Sequence, residues 1–289
     1  MMIDIVMTTA GEHLHILQFS VRNLFRFFDI RNLFLITARN NFYLLKDLNR
    51  YNVLLIDEDS IIPNMTLEDL KELKLVGFPK RAGWYYQQLL KMACAFLPNI
   101  GDFYLIWDSD TVLLRPISLI DNKGRMIFTT ALEHNPSYFD TYTKLLGEDP
   151  QRNFSFISQH MIIEKKIMKE LIDRIANNIP GNENWAWKIM LNLNCNDYCQ
   201  LSEYELFGHY VKNCYPDRAI FRRIAWTRYG SSLASFYPTD SDLDALSKNY
   251  YFAAFESYDS GTLKRIRAKS ICFKDSIRSY VYKLLQLKK

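Results

Sequence analysis

Four short, nearly uninterrupted apolar runs in the N-terminal part of the chain constrain the fold more than any other feature. Ile3 to Thr9 is the first, Asn32 to Thr37 the second, Tyr51 to Asp57 the third and Asp102 to Trp107 the fourth. Runs this short and this apolar suit strands covered on both faces, as in a parallel sheet. Between the first two, Leu14, Leu17, Val21, Leu24, Phe25 and Phe28 recur at helical steps, with Gln18, Arg22 and Arg26 opposite. Strand, helix and strand at that spacing form a right-handed crossover unit. A second helix is expected from Gly83 to Phe96, ended by Pro98 and Gly101. The fold class that follows is α/β.

A chain of 289 residues with 48% hydrophobic and 24% charged residues has enough apolar material for one well-buried unit. Its five cysteines are an odd number and include no C-x-x-C pair, so reduced, mostly buried thiols are expected rather than a zinc site. The N-terminus has no basic segment before its apolar run, and no window is apolar enough for a membrane span. The expected compartment is the cytoplasm. Charge is uneven: from Thr262 to Lys289, nine Lys or Arg face one acid, Asp275, a net +8 in a chain of net +4, which leaves the remainder at −4. A local basic tail argues for a local anionic partner and against a general nucleic-acid surface. In that tail Phe273, Ile277, Tyr280, Val281, Leu284 and Leu287 share one helical face, a pattern that can lie in a membrane interface.

The fourth run ends in Trp107-Asp108-Ser109-Asp110. In open α/β sheets ligands bind at the carboxyl ends of strands, and folding alone poorly explains two carboxylates placed there one residue apart. Mg²⁺ and Mn²⁺ take carboxylate, phosphate and water oxygens, so one or two Asp side chains suffice to hold either ion against a diphosphate. Such an ion stabilises the charge that develops on a diphosphate leaving group. A bare D-x-D is weak evidence, and the apolar strand before it is what gives it weight.

With these residues in view, the sequence resembles the nucleotide-sugar-dependent glycosyltransferases of the GT-A fold, especially bacterial enzymes of surface polysaccharide and lipopolysaccharide assembly. The matching pieces are Ile3 to Thr9, Gly83-Trp84-Tyr85-Tyr86-Gln87-Gln88-Leu89-Leu90-Lys91 and Tyr104 to Thr111, with looser likeness at Ser158-Gln159-His160-Met161 and Ser202 to Gly208. The resemblance implies a Rossmann-type central mixed sheet flanked by helices, with a C-terminal helical tail. It divides the chain into a nucleotide-sugar half, 1–120, an acceptor half, 121–261, and the tail, 262–289. It implies that Asp110 coordinates the metal and that Asp108 contacts the ribose or donor sugar. Both acids are expected in the metal motif, and His209 is a candidate further ligand. Thr8, Thr9, Arg81, Gln87 and Gln88 are the other donor-side candidates, and Gln159 and His160 the acceptor-side ones.

An inverting transferase needs a general base near the acceptor hydroxyl, and Glu203 or Glu205 suits that role. In an extended segment the two would point the same way; in a helix they would diverge. The expected activity is transfer of a sugar from a nucleotide-diphosphate donor to a glycan or lipid-linked acceptor, with inversion. The enzyme would work on the inner face of the plasma membrane if the tail binds it. Two other readings stay open: a metal-dependent nucleotidyl- or phosphoryl-transfer enzyme, against which stands the absence of a glycine-rich phosphate loop, and a non-catalytic carbohydrate-binding module. The donor sugar, the nucleotide and the acceptor are not legible from the residues.

Overall fold

The computed structural model describes residues 2–10, 14–73, 81–150, 152–194 and 199–256. The expected tail, 262–289, lies outside them, as do Cys195 and Cys272. In chain order the elements are β1 (Ile3–Thr8), α1 (Leu14–Phe27), β2 (Ile30–Thr37), β3 (Val53–Asp57), α2 (Leu67–Lys71), α3 (Ala82–Ala93), β4 (Phe103–Trp107) and β5 (Thr111–Leu113). There follow β6 (Met126–Thr129), α4 (Pro136–Leu146), β7 (His160–Glu164), α5 (Lys165–Asn178), α6 (Trp185–Leu191) and α7 (Glu203–Cys214). The last are β8 (Ala219–Arg222), α8 (Gly230–Leu233), α9 (Asp240–Ser247) and β9 (Phe252–Ala254).

The central sheet has the order β3-β2-β1-β4-β7. The first four strands run parallel and β7 runs antiparallel to β4, with Trp107 opposite His160. The chain therefore forms the α/β fold that its apolar runs imply, with the mixed sheet flanked by helices that the family resemblance implies. β1 is buried along its whole length between two neighbours, which is why its sequence is apolar apart from one acid and the closing Thr8. That acid, Asp4, accepts hydrogen bonds from Arg31 Nε (2.9 Å), Asn32 Nδ2 (3.1 Å) and the Gly101 amide (2.7 Å). Burial alone would raise its carboxyl, but these donors and the Arg31 charge outweigh burial and hold it below the ordinary value.

Two smaller pairings complete the frame: β5 with β9, antiparallel, and β6 with β8, parallel. Although α1 is amphipathic, it buries two polar residues on purpose-built acceptors. Ser20 Oγ donates to the Thr111 carbonyl (2.6 Å) and Asn23 Nδ2 to that of Leu113 (2.7 Å), fastening β5 directly behind the acidic turn. Two helices differ from a plain reading of the sequence. Asn135-Pro136 looks like loop punctuation, yet Asn135 caps α4 by accepting from the Ser137 amide (3.2 Å), Pro136 sits in its first turn and Gly147 ends it at φ 71°. At Ser202 the side chain accepts from the Glu205 amide (3.3 Å), so the segment left open between strand and helix is a helix.

α7 lies close against the loop before β7. A Cβ on Gly208 would stand 2.3 Å from Phe156 Cγ, inside a buried cluster with Phe128 and Phe207. On an exposed helix Gly→Ala would gain about 1 kcal/mol. Here Gly208→Ala should instead cost about 2 kcal/mol through overpacking, measurable as a lower urea midpoint at unchanged m-value.

Candidate active site

β4 stops at Trp107 because the next residues turn. The Asp108 amide donates to the Gln159 carbonyl (2.9 Å) rather than continuing the ladder, and the Thr111 amide donates back to the Asp108 carbonyl (3.0 Å). From the buried side, Trp107 Nε1 donates to the Thr111 carbonyl (2.7 Å). From the C-terminal side, the Phe255 amide donates to the Asp110 carbonyl (2.8 Å). The acidic turn is thus fixed through its backbone, at the carboxyl end of a strand adjacent to β1, whose own end carries Thr8 and Thr9.

Asp108 has a partner on each oxygen. Oδ1 accepts from Lys91 Nζ (2.5 Å) and from the Tyr204 hydroxyl (2.9 Å). Lys91, only 1% exposed on the inner face of α3, also donates to Glu203 Oε1 (2.9 Å). Burial would strip Lys91 of its proton, but the charges of Asp108 and Glu203 outweigh burial and raise it above its ordinary value. Burial raises the Glu203 carboxyl, with Lys91 opposing. The charges around Gln159 fix its amide orientation: nitrogen toward Asp108 Oδ2 and oxygen toward Arg228 Nη2, each at 3.0 Å. Gln159 holds φ 66°, the left-handed region that costs a side-chain-bearing residue, and strain of this kind concentrates at functional positions.

Arg228 also pairs with Glu133 (2.7 Å) and Glu256 (3.2 Å). Burial pushes the Glu256 carboxyl up to about 8, with Arg228 opposing and the charges of Asp110, Glu133 and Asp108 adding to the rise. The half-buried Asp110 accepts from Thr111 Oγ1 (3.3 Å). Among the described residues no three His, Cys, Asp or Glu side chains form a metal-enclosing group. A carboxylate such as Asp110 is nonetheless an oxygen ligand of the kind a hard divalent ion takes, and an ion that keeps waters and binds phosphate needs few protein ligands.

The remaining sequence candidates fall in several places. Thr8 and Gln87 meet: Thr8 Oγ1 donates to Gln87 Oε1 (3.0 Å) at the end of β1. Thr9 is buried beside it, its amide donating to the Ile36 carbonyl (3.0 Å). Gln88 is buried and accepts from the Glu203 amide (3.2 Å), and Arg81 stacks over the Trp84 ring at 4.7 Å. Two residues along α7 is about 200° of rotation, so Glu203 and Glu205 diverge. Glu203 faces Lys91, whereas Glu205 accepts from Ser155 Oγ (2.5 Å) and the Phe156 amide (3.2 Å). Both carboxylates are buried and accept hydrogen bonds from protein donors. His209, expected as a metal ligand, is wholly buried among Phe139, Tyr142 and Phe156. Its Nε2 lies 3.2 Å from Glu205 Oε2, out of hydrogen-bonding alignment. His160, expected at the acceptor, is 2% exposed and packs on Trp107 and Phe252. Its Nδ1 donates to the Ser158 carbonyl (3.0 Å), leaving Nε2 facing Thr129 Oγ1 at 3.4 Å. The acids at 57–59 close β3, where burial and the flanking Asp59 and Asp57 push Glu58 up to about 7.

Lys91, Tyr204, Glu133 and Glu256 join the site without having been singled out from the sequence, and Arg228 joins it from a basic cluster with Arg218, Arg222 and Arg223 that the sequence offers to a diphosphate. Lys91 left a trace there too, a cation on the apolar face of a helix. The others come from α7 (Tyr204), the loop after β6 (Glu133), the segment after β8 (Arg228) and the segment just past β9 (Glu256).

The sequence family described as "Family of unknown function (DUF6492)" matches residues 4–242. No curated protein matches the chain. Among solved structures, mouse xyloside xylosyltransferase 1 in its apo form is similar at 13% identity and TM-score 0.47, over 91% of this chain and 100% of that one. Galactosyltransferase LgtC in complex with donor and acceptor sugar analogs is similar at 11% identity and TM-score 0.42, over 88% and 87%. The apo bifunctional glycosyltransferase WbbM matches at 12% and 0.45, over 88% of this chain and 46% of that one. These likenesses carry no argument about activity.

His160 gives a pH test of the interior. Burial, joined by the Arg222 charge, lowers its value to about 3 against the opposing Ser158 carbonyl, whereas the unfolded chain takes up that proton near 6.5. The folded value is the depressed one, so this group's contribution is full above about 6.5 and falls by up to about 1.4 kcal/mol per unit as pH drops toward 3. Urea unfolding of wild type and His160→Asn from pH 7 to 4 should show the steeper loss only in wild type; parallel curves would contradict the burial.

Proposed function

We propose that this chain, which belongs to the DUF6492 family, is a glycosyltransferase that moves a sugar from a nucleoside-diphosphate donor to a glycan or lipid-linked acceptor in surface polysaccharide or lipopolysaccharide synthesis. One observation carries this reading: a rigid two-carboxylate turn leaves a parallel strand at the sheet edge where α/β folds bind ligands, next to the end of β1. Asp110 would hold Mn²⁺ or Mg²⁺, with Glu256 near it and Asp108 turned toward the donor sugar. The ion would neutralise charge on the departing diphosphate. Thr8, Thr9 and Gln87, at the neighbouring strand end, would meet the nucleoside. We assign Glu203 to fixing Lys91 and Glu205 to fixing the segment before β7, which leaves an inverting course without a base among them.

The first test is thermal shift with nucleoside diphosphates and their sugars, with and without Mn²⁺. Metal-dependent stabilisation by one nucleotide is expected, since only a ligand bound by the native state raises the melting temperature. Asp110→Ala should keep the wild-type melting temperature within about 2 °C and lose Mn²⁺-dependent release of nucleoside diphosphate by at least about 100-fold. Release of pyrophosphate or nucleoside monophosphate instead would point to nucleotidyl or phosphoryl transfer.

Among the described residues no helix is long and apolar enough to cross a membrane. We assign membrane contact to the basic tail, each cation adding about 1 kcal/mol near an anionic surface. The full chain should sediment with phosphatidylserine vesicles at low salt. Changing Lys264, Arg265, Arg267 and Lys269 together to Gln should weaken that binding by at least about tenfold; unchanged binding would remove the tail from the account.

A further inference from the structure

The Arg228 side chain joins three separate segments at the site. Its guanidinium reaches Glu133 in the loop after β6 (2.7 Å), Glu256 just past β9 (3.2 Å) and the Gln159 amide oxygen before β7 (3.0 Å). A guanidinium is a planar fork, so three acceptors around it fix its plane, and the plane in turn fixes each acceptor. The consequence for Gln159 is specific. An amide can be turned end for end at little steric cost, and only the neighbouring charges decide which end faces Asp108. With its oxygen held by Arg228, the amide must present its nitrogen to Asp108 Oδ2 (3.0 Å). Turned the other way, Gln159 would set a carbonyl oxygen against a carboxylate, and Asp108 would keep only the donors on Oδ1, from Lys91 and Tyr204.

We propose that Arg228 is a positioning residue that acts through Gln159: it selects the amide orientation that makes Gln159 a donor to Asp108 and so sets the direction of the Asp108 carboxylate. The left-handed backbone of Gln159 belongs to the same device. Its carbonyl accepts from the Asp108 amide (2.9 Å) while its side chain donates to the Asp108 carboxylate, so one residue clamps the acid from both ends. Glu133 and Glu256 hold the Arg228 plane and are themselves kept paired.

This inference rests on the transferase reading above, and the experiment separates the two. The probe is whichever of UDP-glucose, UDP-galactose, UDP-N-acetylglucosamine or GDP-mannose wild type hydrolyses fastest with Mn²⁺. Arg228→Lys keeps the charge that Glu133 and Glu256 require but replaces the fork with a point cation. It should fold, leave KM for the probe within about threefold and lower kcat by about 10- to 100-fold, the scale of a small misplacement of an active-site group. Gln159→Met should lower kcat similarly. The double variant should be no slower than the slower single one, because both changes cut the same chain of contacts. If Arg228→Lys does not fold, Arg228→Met with Glu133→Gln takes its place. Unchanged kcat, multiplicative losses in the double variant, or failure of both replacements to fold would overturn the positioning role while leaving the transferase standing. A wild type that releases no nucleoside diphosphate from any probe would overturn both.

Discussion

The site depends on one buried ammonium. Lys91 sits between Asp108 and Glu203 with almost no contact with water. An unpaired lysine there would be driven neutral, and either acid alone would face a burial penalty of several kcal/mol. Held together, the three groups tie α3, the turn after β4 and the start of α7 at one point. Buried ion pairs add little net stability, but removing one member strands the others at a cost of about 3–5 kcal/mol. Such a triad therefore works as a device of position: α7 cannot shift relative to α3 without breaking it.

On the opposite side of Asp108 a second cation, Arg228, is reached through the Gln159 amide. Asp108 is thus approached by a cation directly on one side and through a neutral amide on the other. Asp110, two residues on, has its backbone held by Phe255 while its carboxylate stays partly open. The two acids of one short motif consequently differ in their surroundings: Asp108 accepts from Lys91, Tyr204 and Gln159, and Asp110 accepts from Thr111 Oγ1. Burial first, and then the charges of Asp110, Glu133 and Asp108, push the Glu256 carboxyl up to about 8 against the opposing Arg228.

The second half of the chain shows why residue type alone does not assign a role. Glu203, Glu205, His160 and His209 are the residue types that catalysis uses, and all four are enclosed. Three of the four are hydrogen-bonded into the frame around them. His160 links β7 to β6 and packs under Trp107, while Glu205 takes up the Ser155 hydroxyl and the Phe156 amide in the loop leading to Gln159. The left-handed Gln159 is the product of that scaffolding, held in place by what lies before and after it.

What the sequence determined by itself was local or periodic. The apolar runs, the helical steps of α1 and α5 and the strand-then-acid pattern at Trp107-Asp108 follow from burial and backbone period, which neighbouring residues encode. The start of α4 was also written locally, in Asn135-Pro136, but as a helix signal where it resembled a turn. Only the tertiary structure decided that Lys91 would meet Glu203, that Arg228 would meet Gln159, Glu133 and Glu256, and that β7 would join the sheet in the reverse direction. Those pairings span many tens of residues, and a charged side chain in sequence carries no mark of its partner. Burial makes the pairing obligatory, and burial is known only once the chain has closed around it.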